Sequence, residues 1–225
     1  RAGFRGFGAD PGCFPSPGVI DNRVNWALRT ELEGGLIKVA LVGTHGVNKT
    51  TIAYELAGVL KRKGKTVELL TEIARECPFP LNEQATREAY QWIIARQVQL
   101  EIEKSPRADI LVCDRSVLDN FAYYVRRYSR NGQEAEALEA YCRSWIETYD
   151  FLVRLPISEP LAADGFRSTD EDFQSEIDRL CDEMFEQHYN ERTRPAYVRG
   201  ALSAGEIARF ILETHPHGAE RLLVG

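Results

Sequence analysis

The run Leu36-Ile37-Lys38-Val39-Ala40-Leu41-Val42-Gly43-Thr44-His45-Gly46-Val47-Asn48-Lys49-Thr50-Thr51 leaves the chain few folds to choose from. It reads as an apolar strand, a glycine loop ending in Lys-Thr-Thr, and then the start of a helix. Gly43 ends the strand, and the loop can turn its backbone N–H groups inward as a nest for phosphate oxygens. Lys49 would set a point charge against the outer phosphates, and the Thr50 hydroxyl would take a place on Mg²⁺. The N-terminus of the following helix adds partial positive charge at the same spot. An ordinary glycine-bearing turn between strand and helix is the alternative, but it does not account for Lys-Thr-Thr at this place.

The usual spacing of such a loop is Gly-x-x-x-x-Gly-Lys-Ser/Thr, and here Asn48 stands where the second glycine is expected. Asparagine tolerates a left-handed backbone better than most residues, so the loop can keep its shape, although the amide projects towards the nucleotide.

The second informative run is Asp109-Ile110-Leu111-Val112-Cys113-Asp114-Arg115-Ser116. It predicts a buried strand with an acid at its carboxyl end, arriving where the third strand of the same sheet belongs. Asp114 would then lie beside the loop and could hold Mg²⁺ directly or through water. Between the two runs, Thr50 to Lys63 predicts a helix with Ile52, Ala53, Leu56, Ala57 and Leu60 on one face. Lys61, Arg62, Lys63 and Gly64 form its stop and read as a solvated last turn. Thr66–Leu70 reads as the second strand. Strand, crossover helix and strand in this order imply parallel pairing. Ligands of open α/β sheets bind at the carboxyl ends of the strands, which gives Glu72 and Arg75 functional weight against the alternative of surface charges at a helix start.

Asn82 is expected to cap a long helix ending near Lys104, with Ala85, Ala89, Trp92, Ile93 and Leu100 on its apolar face. Its polar residues Arg87, Tyr90, Arg96 and Gln97 are read as solvated by default, with reach to an acceptor pocket as the alternative. Ser116 is expected to cap a helix from Val117 to about Arg130, on which Tyr123 and Tyr124 suit either core or pocket. A helix over Gln133–Tyr149 carries an aromatic stripe that reads as packing. Asp150–Leu155 predicts the fourth strand. Asp164–Glu171 is a polar loop in which Ser168 and Glu171 can form a capping box for the next helix. Arg167 in that loop suits a mobile lid, because a guanidinium stays charged and forks onto phosphate oxygens. The other reading is a surface arginine. Ala196–Arg199 is the fifth strand and Ser203–Glu213 the last helix.

Residues 1–34, rich in glycine and proline at their start, read as an extension with a short helix, residues 35–215 as the main domain and 216–225 as a tail. The net charge of −6 argues against an extended nucleic-acid-binding face. The five cysteines show no metal-ligand spacing, and reduced thiols in a cytoplasmic protein are the expectation. No apolar run approaches the roughly 20 residues that cross a bilayer, and no signal-peptide core is expected at the N-terminus.

Taken together, Gly43–Thr51, Leu69–Glu76, Leu111–Tyr124 and Asp164–Phe173 resemble the phosphate-loop kinase superfamily, in its thymidylate-kinase-like and deoxynucleoside-kinase-like group, near the ATP-binding relatives of the bacterial ribosylnicotinamide kinase domain. Asp114-Arg115-Ser116 with Asp119-Asn120-Phe121-Ala122-Tyr123 is similar to the Asp-Arg-Tyr or Glu-Arg-Ser motif of those kinases. The resemblance spans about Leu36 to Thr214. It implies an α/β three-layer sandwich with a five-stranded parallel sheet in the order 2-3-1-4-5, helices on both faces, and a lid. It also implies ATP held by Gly43, Thr44, His45, Gly46, Val47, Asn48, Lys49, Thr50 and Thr51, with Mg²⁺ on Thr50 and Asp114. Arg115 would touch transferring or acceptor phosphates, Glu72 would take the proton of the acceptor hydroxyl, and Arg167 would be the lid arginine. The Arg-Glu-Pro-Gly-Gly stretch of thymidylate kinases is absent, so a nucleoside or another small hydroxyl compound fits Glu72 better than thymidylate. By the same resemblance a homodimer is expected. Two other readings stand beside the kinase: a nucleotide-dependent regulatory or binding ATPase module without a small-molecule acceptor, and a scaffold in which Asn48 has abolished catalysis.

Overall fold

The computed structural model describes residues 35–71, 73–81, 84–157, 171–188 and 196–214. Its elements are β1 (Ile37–Val42), α1 (Lys49–Arg62), β2 (Val67–Leu70), a 3-10 turn at Ile73–Glu76, α2 (Arg87–Lys104), β3 (Ile110–Asp114), α3 (Val117–Tyr128), α4 (Gln133–Ile146), β4 (Phe151–Arg154), α5 (Glu171–His188), β5 (Ala196–Arg199) and α6 (Ala204–Thr214). The five strands form one sheet in the order β2-β3-β1-β4-β5, and every pairing is parallel. The expected α/β sandwich with a 2-3-1-4-5 sheet is the observed fold.

Alternation along the strands divides the core in two. Ala40, Val42, Leu111, Cys113 and Leu152 face one side and pack with α2, α3, α4 and α5. Val39, Leu41, Val112, Phe151 and Val153 face the other and pack with α1 and α6. Every residue of β1 and of β3 is buried, as expected of central parallel strands covered on both faces. Leu41 pairs with Asp114 and Val42 with Arg154, so the carboxyl ends of β1, β3 and β4 finish together.

Three helix ends differ from expectation. Helix α2 starts at Arg87, not after Asn82, because Thr86 takes an extended backbone and its hydroxyl accepts from the Ala89 N–H at 3.3 Å. Asn82 itself lies outside the described residues, as does Ser168 of the proposed capping box. Helix α3 stops at Tyr128, where Ser129 turns to φ 71°. Helix α4 stops at Ile146, and Thr148 and Tyr149 turn back on Trp145 and Ile146 through backbone hydrogen bonds of 2.9 and 3.1 Å.

A buried polar cluster crosses the first core. Lys38, within β1, pairs with Glu101 of α2 at 2.7 Å. It also donates to the Thr148 hydroxyl at 2.7 Å and lies over the rings of Trp145 and Tyr149. Glu101 accepts further from Trp145 Nε1 at 2.8 Å and Tyr149 OH at 2.7 Å. A charge withdrawn from water persists when its partners are this complete. Among the described residues no helix is long and apolar enough to cross a membrane, and Cys77, Cys113, Cys142 and Cys181 are free thiols.

Candidate active site

Strand β1 hands over to the loop at Gly43, where only glycine fits. Its φ is 149°, and a Cβ there would stand 2.8 Å from the Leu155 carbonyl oxygen and 3.0 Å from Arg154 Nη1. The Gly43 N–H donates to Asp119 Oδ1 at 2.7 Å. The other oxygen of that carboxylate accepts from the Ser116 N–H at 2.9 Å and the Ser116 hydroxyl at 2.7 Å. The cap that starts α3 therefore also pins the loop. Asp119 was legible as part of a motif; its reach to Gly43, 76 residues away, was not.

The loop turns through positive φ at Gly46 (78°) and Asn48 (57°). Asn48 sits in the left-handed region at ψ 21°, so the residue in place of glycine adopts the conformation that position requires. Its side chain is exposed and the loop keeps its turn. Val47 points away from the turn into the core shared with α1 and α6. Lys49, buried at the start of α1, donates through Nζ to the Thr44 carbonyl within the loop. Thr50 Oγ1 donates to Asp114 Oδ2 at 2.5 Å. Lys49, Thr50 and Asp114 thus meet at one end of the sheet.

Arg115 follows immediately. Its φ is 107°, its N–H donates to the Leu41 carbonyl at 3.2 Å, and its guanidinium lies 5.1 Å over the Tyr123 ring. Tyr123 turns its hydroxyl to the loop, accepting from the His45 N–H at 3.0 Å and lying 3.1 Å from His45 Nδ1. Burial pushes the Tyr123 hydroxyl above its ordinary pKa, against the opposing pull of Arg115, so it stays protonated. Tyr124, the other ambiguous tyrosine, is in the core.

Helix α5 closes the loop from the far side. Gln174 Nε2 donates to the His45 carbonyl at 2.8 Å, and the Phe173 ring lies 5.5 Å from that of His45. Beneath, the fully buried Arg154 of β4 pairs with Asp178 at 2.7 Å and Asp182 at 3.0 Å, both on α5, and Arg199 of β5 reaches Asp182 at 2.8 Å. Burial opposes the charge on Arg154, but the carboxylates outweigh it and raise its pKa. Nothing in the sequence singled out Gln174 or Arg154. Their partners lie on other elements, and a glutamine or arginine in a local pattern is read outward by default.

A cleft of about 300 Å³ opens beside the loop, floored by Gly46, Asn48, Lys49, Thr50 and Thr51. Its wall is Tyr54 of α1 with Thr71 and Arg75 beyond the carboxyl end of β2. The structure therefore brings the expected loop residues together with Asp114 and Arg115, and Arg75 to the same opening. Glu72 and Arg167 lie outside the described residues. Among the described residues no group of three or more His, Cys, Asp or Glu side chains forms a ready metal cage.

A family model described as an AAA domain matches residues 38–196. No curated protein matches the chain by sequence. Among solved structures, deoxyadenosine kinase from M. mycoides with bound dATP is similar at a TM-score of 0.55 and 15% identity, over 79% of this chain and 98% of that one. Thymidylate kinase from Ehrlichia chaffeensis is similar at a TM-score of 0.52 and 16% identity, over 80% of this chain and 98% of that one. At these identities the likeness is one of fold.

Proposed function

The chain belongs to the AAA domain family, and from that premise we propose that it transfers the γ-phosphate of ATP, with Mg²⁺, to a small acceptor such as a nucleoside or nucleotide. The observation that carries this reading is the junction of Lys49, Thr50 and Asp114 at the head of α1, with Thr50 and Asp114 in direct contact at 2.5 Å. A nucleotide-binding fold with kinases among its structural neighbours supports it.

The residues present fit both groups. Positive φ at Gly46 and Asn48 bends the loop into the concave turn that suits phosphate oxygens. Thr50 and Asp114 offer hard oxygen donors, and Mg²⁺ is commonly held by one or two such groups together with substrate phosphates. When bound, the ion supplies charge neutralisation at the phosphate oxygens. Lys49, bonded here to the Thr44 carbonyl, would supply positive charge to a phosphate oxygen. Arg115 adds positive charge beside the loop, and Tyr123 and Gln174 hold the loop backbone still, so that the charges are preorganised.

Glu72 is assigned as the base that takes the acceptor proton and Arg167 as the lid arginine, both from the resemblance set out above. Thr71 and Arg75 line the cleft beside the loop. A cytoplasmic location and a homodimer belong to the same proposal.

The test is ADP release from Mg²⁺-ATP by the purified protein, with and without nucleosides, nucleotides and nicotinamide riboside, beside Lys49→Ala. Release stimulated by one acceptor and lost in Lys49→Ala supports transfer and names the acceptor class. Hydrolysis indifferent to every acceptor refutes transfer and leaves the regulatory ATPase.

A further inference from the structure

A positive φ costs most residues backbone strain, and such strain persists only where the surroundings over-determine it. Arg115, at φ 107°, is held on both sides of its own peptide. Its N–H goes to Leu41 of β1. Its carbonyl accepts from Gln97 Nε2 of α2 at 2.7 Å. A carbonyl only accepts, so the amide nitrogen of Gln97 must face it and the amide oxygen must face elsewhere. That oxygen accepts from Asn120 Nδ2 at 2.7 Å. Gln97 Nε2 also lies 3.1 Å from Glu101 Oε1, within the cluster anchored by Lys38 and Tyr149. Gln97 is 1% exposed, so its expected place on a solvated face is corrected here. Its amide has one orientation, set by α2 and α3 and backed by β1.

The guanidinium on the other end of Arg115 lies over the ring of Tyr123, the tyrosine whose hydroxyl takes the His45 N–H of the loop. From these contacts we infer that Gln97 is a positioning residue. Through the Arg115 peptide it fixes where the guanidinium stands beside the phosphate loop, and so how well the site tells three phosphates from two. This rests on the role given to Arg115 above.

The test is a double-mutant cycle between Gln97→Met and Arg115→Ala. It is read by calorimetric titration with the non-hydrolysable ATP analogue AMP-PNP and with ADP, both with Mg²⁺, and by thermal unfolding. Arg115→Ala keeps the backbone carbonyl, so the unfolding penalty of Gln97→Met should be alike in both backgrounds. Affinity should behave differently. Gln97→Met is expected to weaken AMP-PNP about tenfold, the scale of one hydrogen bond to a charged group, while ADP stays within about twofold. In the Arg115→Ala background it should change neither.

Equal loss for AMP-PNP and ADP, or the same AMP-PNP loss in both backgrounds, overturns the inference and leaves the proposed function standing. If Arg115→Ala itself keeps the preference for AMP-PNP, the role of Arg115 falls, and the inference with it. Should Gln97→Met fail to fold, Asn120→Ala frees the Gln97 amide while leaving it in place. It should lose the same preference to a smaller degree, again only when Arg115 is present; a loss independent of Arg115 overturns the inference.

Discussion

Replacing Gly43 by alanine tests the geometry at the base of the loop. The new Cβ would lie 2.8 Å from the Leu155 carbonyl oxygen, 3.0 Å from Arg154 Nη1 and 3.2 Å from Val47 Cγ2, at φ 149°. Leu155 cannot easily retreat, because its N–H is bonded to the Val42 carbonyl at 2.9 Å. Arg154 is held by Asp178 and Asp182. The backbone term is about 2 kcal/mol, and overpacking adds about 2 kcal/mol. A total of about 4 kcal/mol should lower Tm by roughly 8–16 °C in a chain of this size. Gly64→Ala is the control: φ is 79° with open space around the Cβ, so only a left-handed backbone cost of about 1 kcal/mol applies. Urea unfolding gives both free energies from the midpoint shift, provided the slope is unchanged. Titration with a fluorescent ADP analogue should show weaker binding for Gly43→Ala and wild-type binding for Gly64→Ala. If Gly43→Ala is no less stable than Gly64→Ala, the crowding at Gly43 has been misjudged and the argument for that glycine fails.

Asn48→Val puts a β-branched residue at φ 57° and should cost about 1–2 kcal/mol of stability along with nucleotide affinity, whereas Asn48→Gly should keep both; parallel urea unfolding and ADP titration would show it. Asp114→Asn is expected to weaken ATP binding in the presence of Mg²⁺ and to leave binding in EDTA nearly unchanged, so equal loss in both media would count against a metal role. The buried thiols should resist alkylation in the native state: burial pushes Cys142 up to about 12, which lowers its thiolate fraction about a thousandfold near neutral pH. Mass spectrometry after iodoacetamide treatment should find Cys77 modified well before Cys113, Cys142 and Cys181.

The strand-loop-helix at Leu36–Thr51 and the apolar run closing on Asp114 were legible because their signals are local: period, glycine and a charged terminus. The apolar face of α1 was legible for the same reason. What stayed hidden was polar burial. Lys38 lies in an apolar strand, and its tolerance there depends on Glu101 of α2, Trp145 of α4 and Thr148 in the turn that follows. Gln97 and Glu101, one helical turn apart on α2, look solvated until Arg115, Asn120, Trp145 and Tyr149 arrive from elsewhere in the chain. The start of α2 was misplaced because Asn82 and Thr86 are both cap-forming types, and only the backbone angles of Thr86 decide between them. The pinning of Gly43 by Asp119 depends on a tertiary distance that spacing does not encode.

The loop at Gly43–Thr51 is made early in synthesis but is braced by residues made much later. Gly43 waits for Asp119, 76 residues on, and His45 for Gln174, 129 residues on. A nascent chain ending before α5 holds every residue of the phosphate-loop motif and lacks the glutamine that fixes its backbone. Contacts of such long sequence separation form late, since a large loop must close first. Nucleotide binding by a ribosome-held chain is therefore expected only once α5 has been made, not when the motif itself appears.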